Sequence, residues 1–166
     1  MSAADTEIKG QGAALQAEFA YDATQRTLRV NYRVRNTGDV ALAVFDRGDR
    51  HAVASGRQRA GAVGAPLWTA AGEGALELSH TAQPLPRPAP VSPPSPVALK
   101  LAPGARAAGS FEFALPDAQA PQRLRWCLGW RGSMRISSTG RSGTARSRCG
   151  ALRSRWPKPS SGSTTT

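Results

Sequence analysis

From Leu15 onward, apolar and polar residues alternate along the chain. Leu15, Ala17, Phe19 and Tyr21 fall on one side and Gln16, Glu18 and Asp22 on the other, the period-two signature of a strand with one buried face. After a break at Asp22-Ala23-Thr24-Gln25 the pattern returns, with Leu28, Val30, Tyr32 and Val34 inward and Arg29, Asn31, Arg33 and Arg35 outward. The two runs predict a hairpin. Closing its loop at Asp22 to Gln25 sets Glu18 opposite Arg29, a favourable cross-strand charge pair; a register shifted by two would keep the same faces. Asn36-Thr37-Gly38-Asp39 predicts a turn, because Asn and Gly tolerate the positive φ of a tight reversal. Val40 to Phe45 follows as a strand apolar on both faces, the mark of a central position.

The signal weakens from Asp46 to Gly74, where His51 to Ala54 and Leu67 to Thr69 are the only short apolar stretches. Ala75 to Ala82 is again strand-like through Leu76 and Leu78. Seven of the thirteen residues from Pro84 to Pro96 are proline, which excludes helix and central strand and leaves an extended connector. Three further alternating runs, Val97 to Leu101, Phe111 to Leu115 and Arg123 to Leu128, complete about seven strands, and no amphipathic helix of ten residues is written. The pattern predicts an all-β antiparallel sandwich over residues 13–130, preceded by a flexible N-terminus at 1–12.

Charge changes the picture only at the C-terminus. Residues 1–130 hold 14 Lys and Arg against 11 Asp and Glu, whereas residues 131–166 hold 8 basic residues and no acidic one. Alanine falls from 27 in the first 130 positions to 2 in the last 36, replaced by Arg, Ser, Gly and Thr. Such a basic low-complexity tail buries too little apolar surface to offset its ordering entropy and is expected to be disordered. The abrupt change after Trp130 equally fits a shifted reading frame in GC-rich coding, which yields this composition. A chain this basic suggests a polyanion as partner. The net of +3 over the first 130 residues places that tendency in the tail, and nucleic acid is not an expected partner of the domain.

No constellation of catalytic residues stands out. His51 and His80 could join Asp46, Asp49 or Glu77 on a metal, but no HxxxH or HExxH spacing supports this and no cofactor is expected. No GxSxG surrounds a serine, and Cys127 lies in an apolar strand, where a thiol is ordinarily inert. A disulfide from Cys127 to the only other cysteine, Cys149, would tie the domain to its tail and need an oxidising compartment; the sequence favours free thiols. Glu73 and Glu77 read as solvated charges. Arg47-Gly48-Asp49 spells an adhesion tripeptide but reads more simply as a turn. Arg87 to Pro93 fits the polyproline ligand pattern RxxPxxP, yet a stiff connector fixed at both ends explains it as well. The outward Arg29, Arg33 and Arg35 lack the interleaved aromatics that stack bases. No run approaches the ~20 apolar residues of a membrane helix, and no secretory signal opens the chain as written, so a cytoplasmic location is expected, or the cell envelope if an N-terminal signal is missing.

The run from Leu28 to Phe45, an alternating strand closed by Asn36-Thr37-Gly38-Asp39 and followed by an apolar strand, resembles bacterial immunoglobulin-like sandwich domains. It is also similar to the domain of bacterial proteinase-inhibitor-like proteins, over residues 13–128. The resemblance implies an immunoglobulin-like antiparallel sandwich without the antibody inter-sheet disulfide, since no cysteine precedes Cys127. It implies no chemistry. The expected function is therefore a non-enzymatic accessory or protein-binding module, with a proteinase-inhibitor-like role as one version and polyanion binding through the tail as the alternative.

Overall fold

The computed structural model describes residues 2–10, 12–70, 72, 74–82, 88, 95–116, 121–132 and 148–155. The alternation found in the sequence becomes two stacked sheets. One contains β1 (Ser2–Gly10), β2 (Ala13–Asp22), β3 (Thr27–Asn36) and β8 (Arg106–Ala114), in the order β1-β2-β3-β8 and antiparallel throughout. The other runs β5-β6-β9-β4-β7, built from β4 (Leu42–Val44), β5 (Leu67–Ala70), β6 (Ala75–His80), β7 (Leu99–Leu101) and β9 (Arg123–Gly132); β10 (Arg148–Arg155) also pairs with β9. A five-residue helix, α1 (Arg50–Ala54), sits in the connection from β4 to β5.

The inward residues of both sheets meet in one core. Leu15, Phe19, Leu28, Val30 and Val34 come from the first sheet and Val44, Leu78, Leu124, Trp126 and Leu128 from the second, all but inaccessible to solvent. Trp126 is its centre: the rings of Phe19, Tyr32 and Phe111 lie 6.5, 5.0 and 5.5 Å from it in edge-on or tilted geometry, the arrangements aromatic quadrupoles favour. The Tyr32 ring packs over Gly109 on the neighbouring strand, where a Cβ would overlap it. The sheet containing β9 is mixed. β6 runs parallel to β9 along Arg123–Leu128, while β4 pairs antiparallel with Trp130–Gly132, so the two occupy successive lengths of β9.

The all-β sandwich agrees with the sequence pattern; several details differ. The hairpin register is shifted by two, pairing Glu18 with Asn31 and Ala20 with Arg29. The turn takes in Ala23 to Arg26, with Asp22 Oδ1 accepting from the amides of Thr24 and Gln25 and Arg26 at φ +53°. Arg29 instead pairs with Glu112 on β8, at 2.6 Å. The expected flexible N-terminus is largely a strand, for β1 pairs with β2 along its whole length. Main-chain bonds to an open edge need no apolar side chains, so the pattern did not reveal it. His51 to Ala54 falls in helix, begun by Asp49, whose Oδ1 accepts from the His51 amide. The strand expected at Val40–Phe45 narrows to Leu42–Val44, because Asn36 Nδ2 donates to the Val40 carbonyl and holds that residue in the corner. Beyond Trp130, β9 continues to Gly132 and Arg148–Arg155 forms β10, antiparallel to β9; the rest of 131–166 lies outside the described residues.

Candidate functional site

Tyr32, Asp46 and His80 are buried residues whose polar groups are hydrogen-bonded within the core. Tyr32 Oη donates to Asp46 Oδ2 at 2.6 Å, and both residues are buried. Arg47 Nε lies 3.2 Å from Asp46 Oδ1 as an ion pair, but the angle is unfavourable and neither atom has an aligned hydrogen-bond partner. The Asp46 carbonyl accepts from the Gly64 amide, and the Gly64 carbonyl lies 2.8 Å from His80 Nε2. Trp126 Nε1–H donates to His80 Nδ1 at 3.0 Å, so the imidazole proton sits on Nε2 and is donated to Gly64. Burial pushes the Tyr32 hydroxyl far above its ordinary range, with the Asp46 charge adding to the effect. Burial lowers His80 below its ordinary value, holding the ring neutral. This chain of bonds pins the loop from Asp46 to Gly64 onto the core.

The groups considered as metal ligands do not converge. His80 and Asp46 are engaged as above, His51 is exposed on α1, Asp49 caps that helix, and Glu77 pairs with Arg125 at 3.2 Å. Among the described residues no three His, Cys, Asp or Glu side chains gather in a way that could hold an ion. Cys127 is disulfide-bonded, which corrects the expectation of a free thiol; the chain's only other cysteine belongs to β10, the antiparallel neighbour of β9. Glu73 lies outside the described residues, as does Arg87–Pro93 apart from the exposed Pro88.

Arg47-Gly48-Asp49 is structural. The Arg47 guanidinium donates to the Gly61 carbonyl, and Gln58 Nε2 donates to the Arg47 carbonyl. Gly48 is at φ +73° and so close to Gly64 that a Cβ there would meet the Gly48 Cα at 2.6 Å. Asp49 accepts from the amides of His51 and Ser95, and these bonds hold its carboxyl below the usual range.

Among the described residues two surfaces remain. The first is β5, the edge of its sheet, whose four residues are all exposed. Trp68 lies in register with Leu78, itself opposite Trp126, so it extends the inner row of the core out to the rim; it is 46% exposed and its ring stands 6.2 Å from that of Phe113 on β8. Leu67, on the opposite face, is 53% exposed. The second is the outer face of β2, β3 and β8, where a depression of about 460 Å³ is lined by Gln16, Glu18, Asn31, Arg33, Ala108 and Ser110. Arg29, Arg33 and Arg35 all project on this face, with Arg29 neutralised by Glu112. The outward Arg29, Arg33 and Arg35 were legible in the sequence, whereas the depression beside them and the open strand at Leu67-Trp68 were not; the consecutive apolar pair Leu67-Trp68 was the signal present for the latter. Among the described residues no helix is long and apolar enough to cross a membrane. No family model, curated protein or solved structure matches this chain.

Proposed function

We propose that this chain is a non-enzymatic protein-binding module, an immunoglobulin-like β-sandwich that receives an extended segment of a partner protein along the open edge of β5. The observation that carries this reading is the four-residue edge strand with Leu67 and Trp68 half in solvent. Natural edges are ordinarily blunted by charge, proline or a covering segment, and Leu67–Ala70 carries no charge and no proline. Unpaired main-chain groups beside exposed apolar side chains are what strand addition uses, the backbone supplying affinity and alternate side chains supplying selectivity. The engagement of Asp46, His80 and Cys127 within the core supports a role without catalysis. The immunoglobulin-like assignment draws its support from two stacked sheets with alternating inward residues.

A display library of extended heptapeptides panned against the full chain tests the proposal. Enrichment of alternating apolar sequences, lost on Leu67→Lys with Trp68→Lys at unchanged melting temperature, is the expected result. Failure to enrich any peptide, or enrichment that survives both substitutions, overturns it. Dimerisation abolished by the same changes would make the occupant a second copy of this chain and overturn the hetero-partner assignment.

A further inference from the structure

The antiparallel register arranges the outer face of the first sheet in rows across its strands. One row is Lys9, Ala14, Arg35 and Arg106, and the next is Glu7, Gln16, Arg33 and Ala108. Arg35 and Arg106 are directly opposite each other on adjacent strands, where like charges destabilise a sheet. Lys9, Arg33, Arg35 and Arg106 are all exposed, and no acidic side chain pairs with any of them among the described residues. Arg29 on the same strand shows the contrast, being neutralised by Glu112. A fold that satisfies one arginine and leaves three together, two of them opposed, carries an uncompensated positive end on an otherwise balanced face.

The depression adjoins that end. Its lining offers two side-chain amides, Gln16 and Asn31, the Ser110 hydroxyl and the Glu18 carboxylate, around a floor left low by the small side chain of Ala108. Two steps along the strands, about 13 Å at the usual strand rise, separate the row of Glu18, Asn31 and Ser110 from that of Arg35 and Arg106. We propose that this face binds an anionic oligosaccharide: hydroxyls meet Glu18, Asn31, Gln16 and Ser110, and sulfate or carboxylate groups meet Arg33, Arg35 and Arg106. Amides and hydroxyls beside a carboxylate suit a polyhydroxylated ligand. Glu18 and Glu7 repel a uniform polyanion laid along the face, and no outward aromatic is present there to stack a base. The disulfide at Cys127 is compatible with the oxidising compartments in which such glycans are displayed.

The test measures binding of the full chain to a heparin hexasaccharide, its desulfated counterpart, single-stranded DNA and poly-glutamate, by titration calorimetry over a range of salt. Arg35→Gln with Arg106→Gln should weaken the sulfated hexasaccharide about tenfold and flatten its salt dependence, with the melting temperature unchanged or raised because a like-charge pair is relieved. Asn31→Ala with Ser110→Ala should weaken the hexasaccharide without changing the salt slope. Equal affinity for DNA or poly-glutamate through the same arginines overturns the glycan assignment. So does a loss produced by Arg135→Gln, Arg141→Gln and Arg146→Gln while the Arg35 and Arg106 variant binds normally, or an absence of hexasaccharide binding at low salt.

Discussion

Replacing Tyr32 by Phe removes one oxygen and nothing else. That oxygen donates to Asp46 Oδ2 at 2.6 Å, within the short range of charge-assisted bonds. Asp46 is 1% exposed, so water cannot take the place of the lost donor without opening the core. Its second oxygen already lacks an aligned hydrogen bond, and Arg47, 3.2 Å away, is the remaining compensation. A hydrogen bond to a charged group contributes about 1.5–3 kcal/mol net, and stranding a buried carboxylate pushes the loss toward the upper end. We expect Tyr32→Phe to cost about 2–3 kcal/mol, a fall of roughly 6–12 °C in melting temperature for a domain of this size.

Urea unfolding followed by circular dichroism measures the loss, with the slope against denaturant unchanged if only stability has moved. A double-mutant cycle with Asp46→Ala then isolates the pair. Its coupling energy should be about 1.5–3 kcal/mol, because each single change already removes the shared bond. A loss below about 0.5 kcal/mol, the usual size of a surface substitution, or a coupling near zero would refute the view that this bond anchors the loop from Asp46 to Gly64.

His80 gives the core a pH dependence: its folded pKa lies below the ordinary 6.5, so the unfolded chain takes up the proton first. Its contribution is complete above about pH 6.5 and is lost as pH falls through the folded pKa, with a slope of at most ~1.4 kcal/mol per pH unit; His80→Asn should flatten stability between about pH 6.5 and 5. Gly109→Ala should cost about 1–3 kcal/mol, since the added methyl displaces a Tyr32 ring that is buried and held by Asp46, whereas Ala108→Ser on the outer face should change stability by less than about 0.5 kcal/mol. Thermal melts of the two variants side by side check this.

Face assignment was legible because it rests on period two, which survives a slip of register by two. Leu15 to Phe19 and Leu28 to Val34 therefore stand in the core although their pairing is displaced. The register itself was hidden in the turn: Arg26 takes a left-handed backbone that nothing in its side chain announces. The first half of β8 was missed because Ala107, Ala108 and Gly109 carry no apolar contrast, and the small residue needed there answers to Tyr32, more than seventy positions away. The parallel pairing of β6 with β9 is likewise non-local. Leu67 and Trp68 could not be read as a site, since the same apolar pair serves in a central strand or on an open edge and only topology decides. The row formed by Lys9, Arg35 and Arg106 needs three registers to be known at once.

What the C-terminal segment contributes can be decided at β9. This strand organises its sheet, with β6 on Arg123–Leu128, β4 on Trp130–Gly132 and β10 along Arg123–Trp130. A chain ending at Trp130 would cut into the partner of β4, so the informative end point is Gly132. Such a chain keeps β6 and β4 but leaves unpaired the main-chain groups that β10 occupied, and Cys127 loses the only other cysteine in the sequence. Loss of a disulfide typically costs about 2–5 kcal/mol, and an unpaired edge beside a full core invites association with other chains. The expected result is a lower melting temperature with concentration-dependent self-association on size exclusion, against a monomeric full-length chain. Association of both forms would show that β10 does not protect that edge in the intact chain, the outcome expected of a shifted reading frame after Trp130. A truncated chain that is monomeric and melts as sharply and as high as the intact one would refute a structural part for β10 and make the domain complete at Gly132.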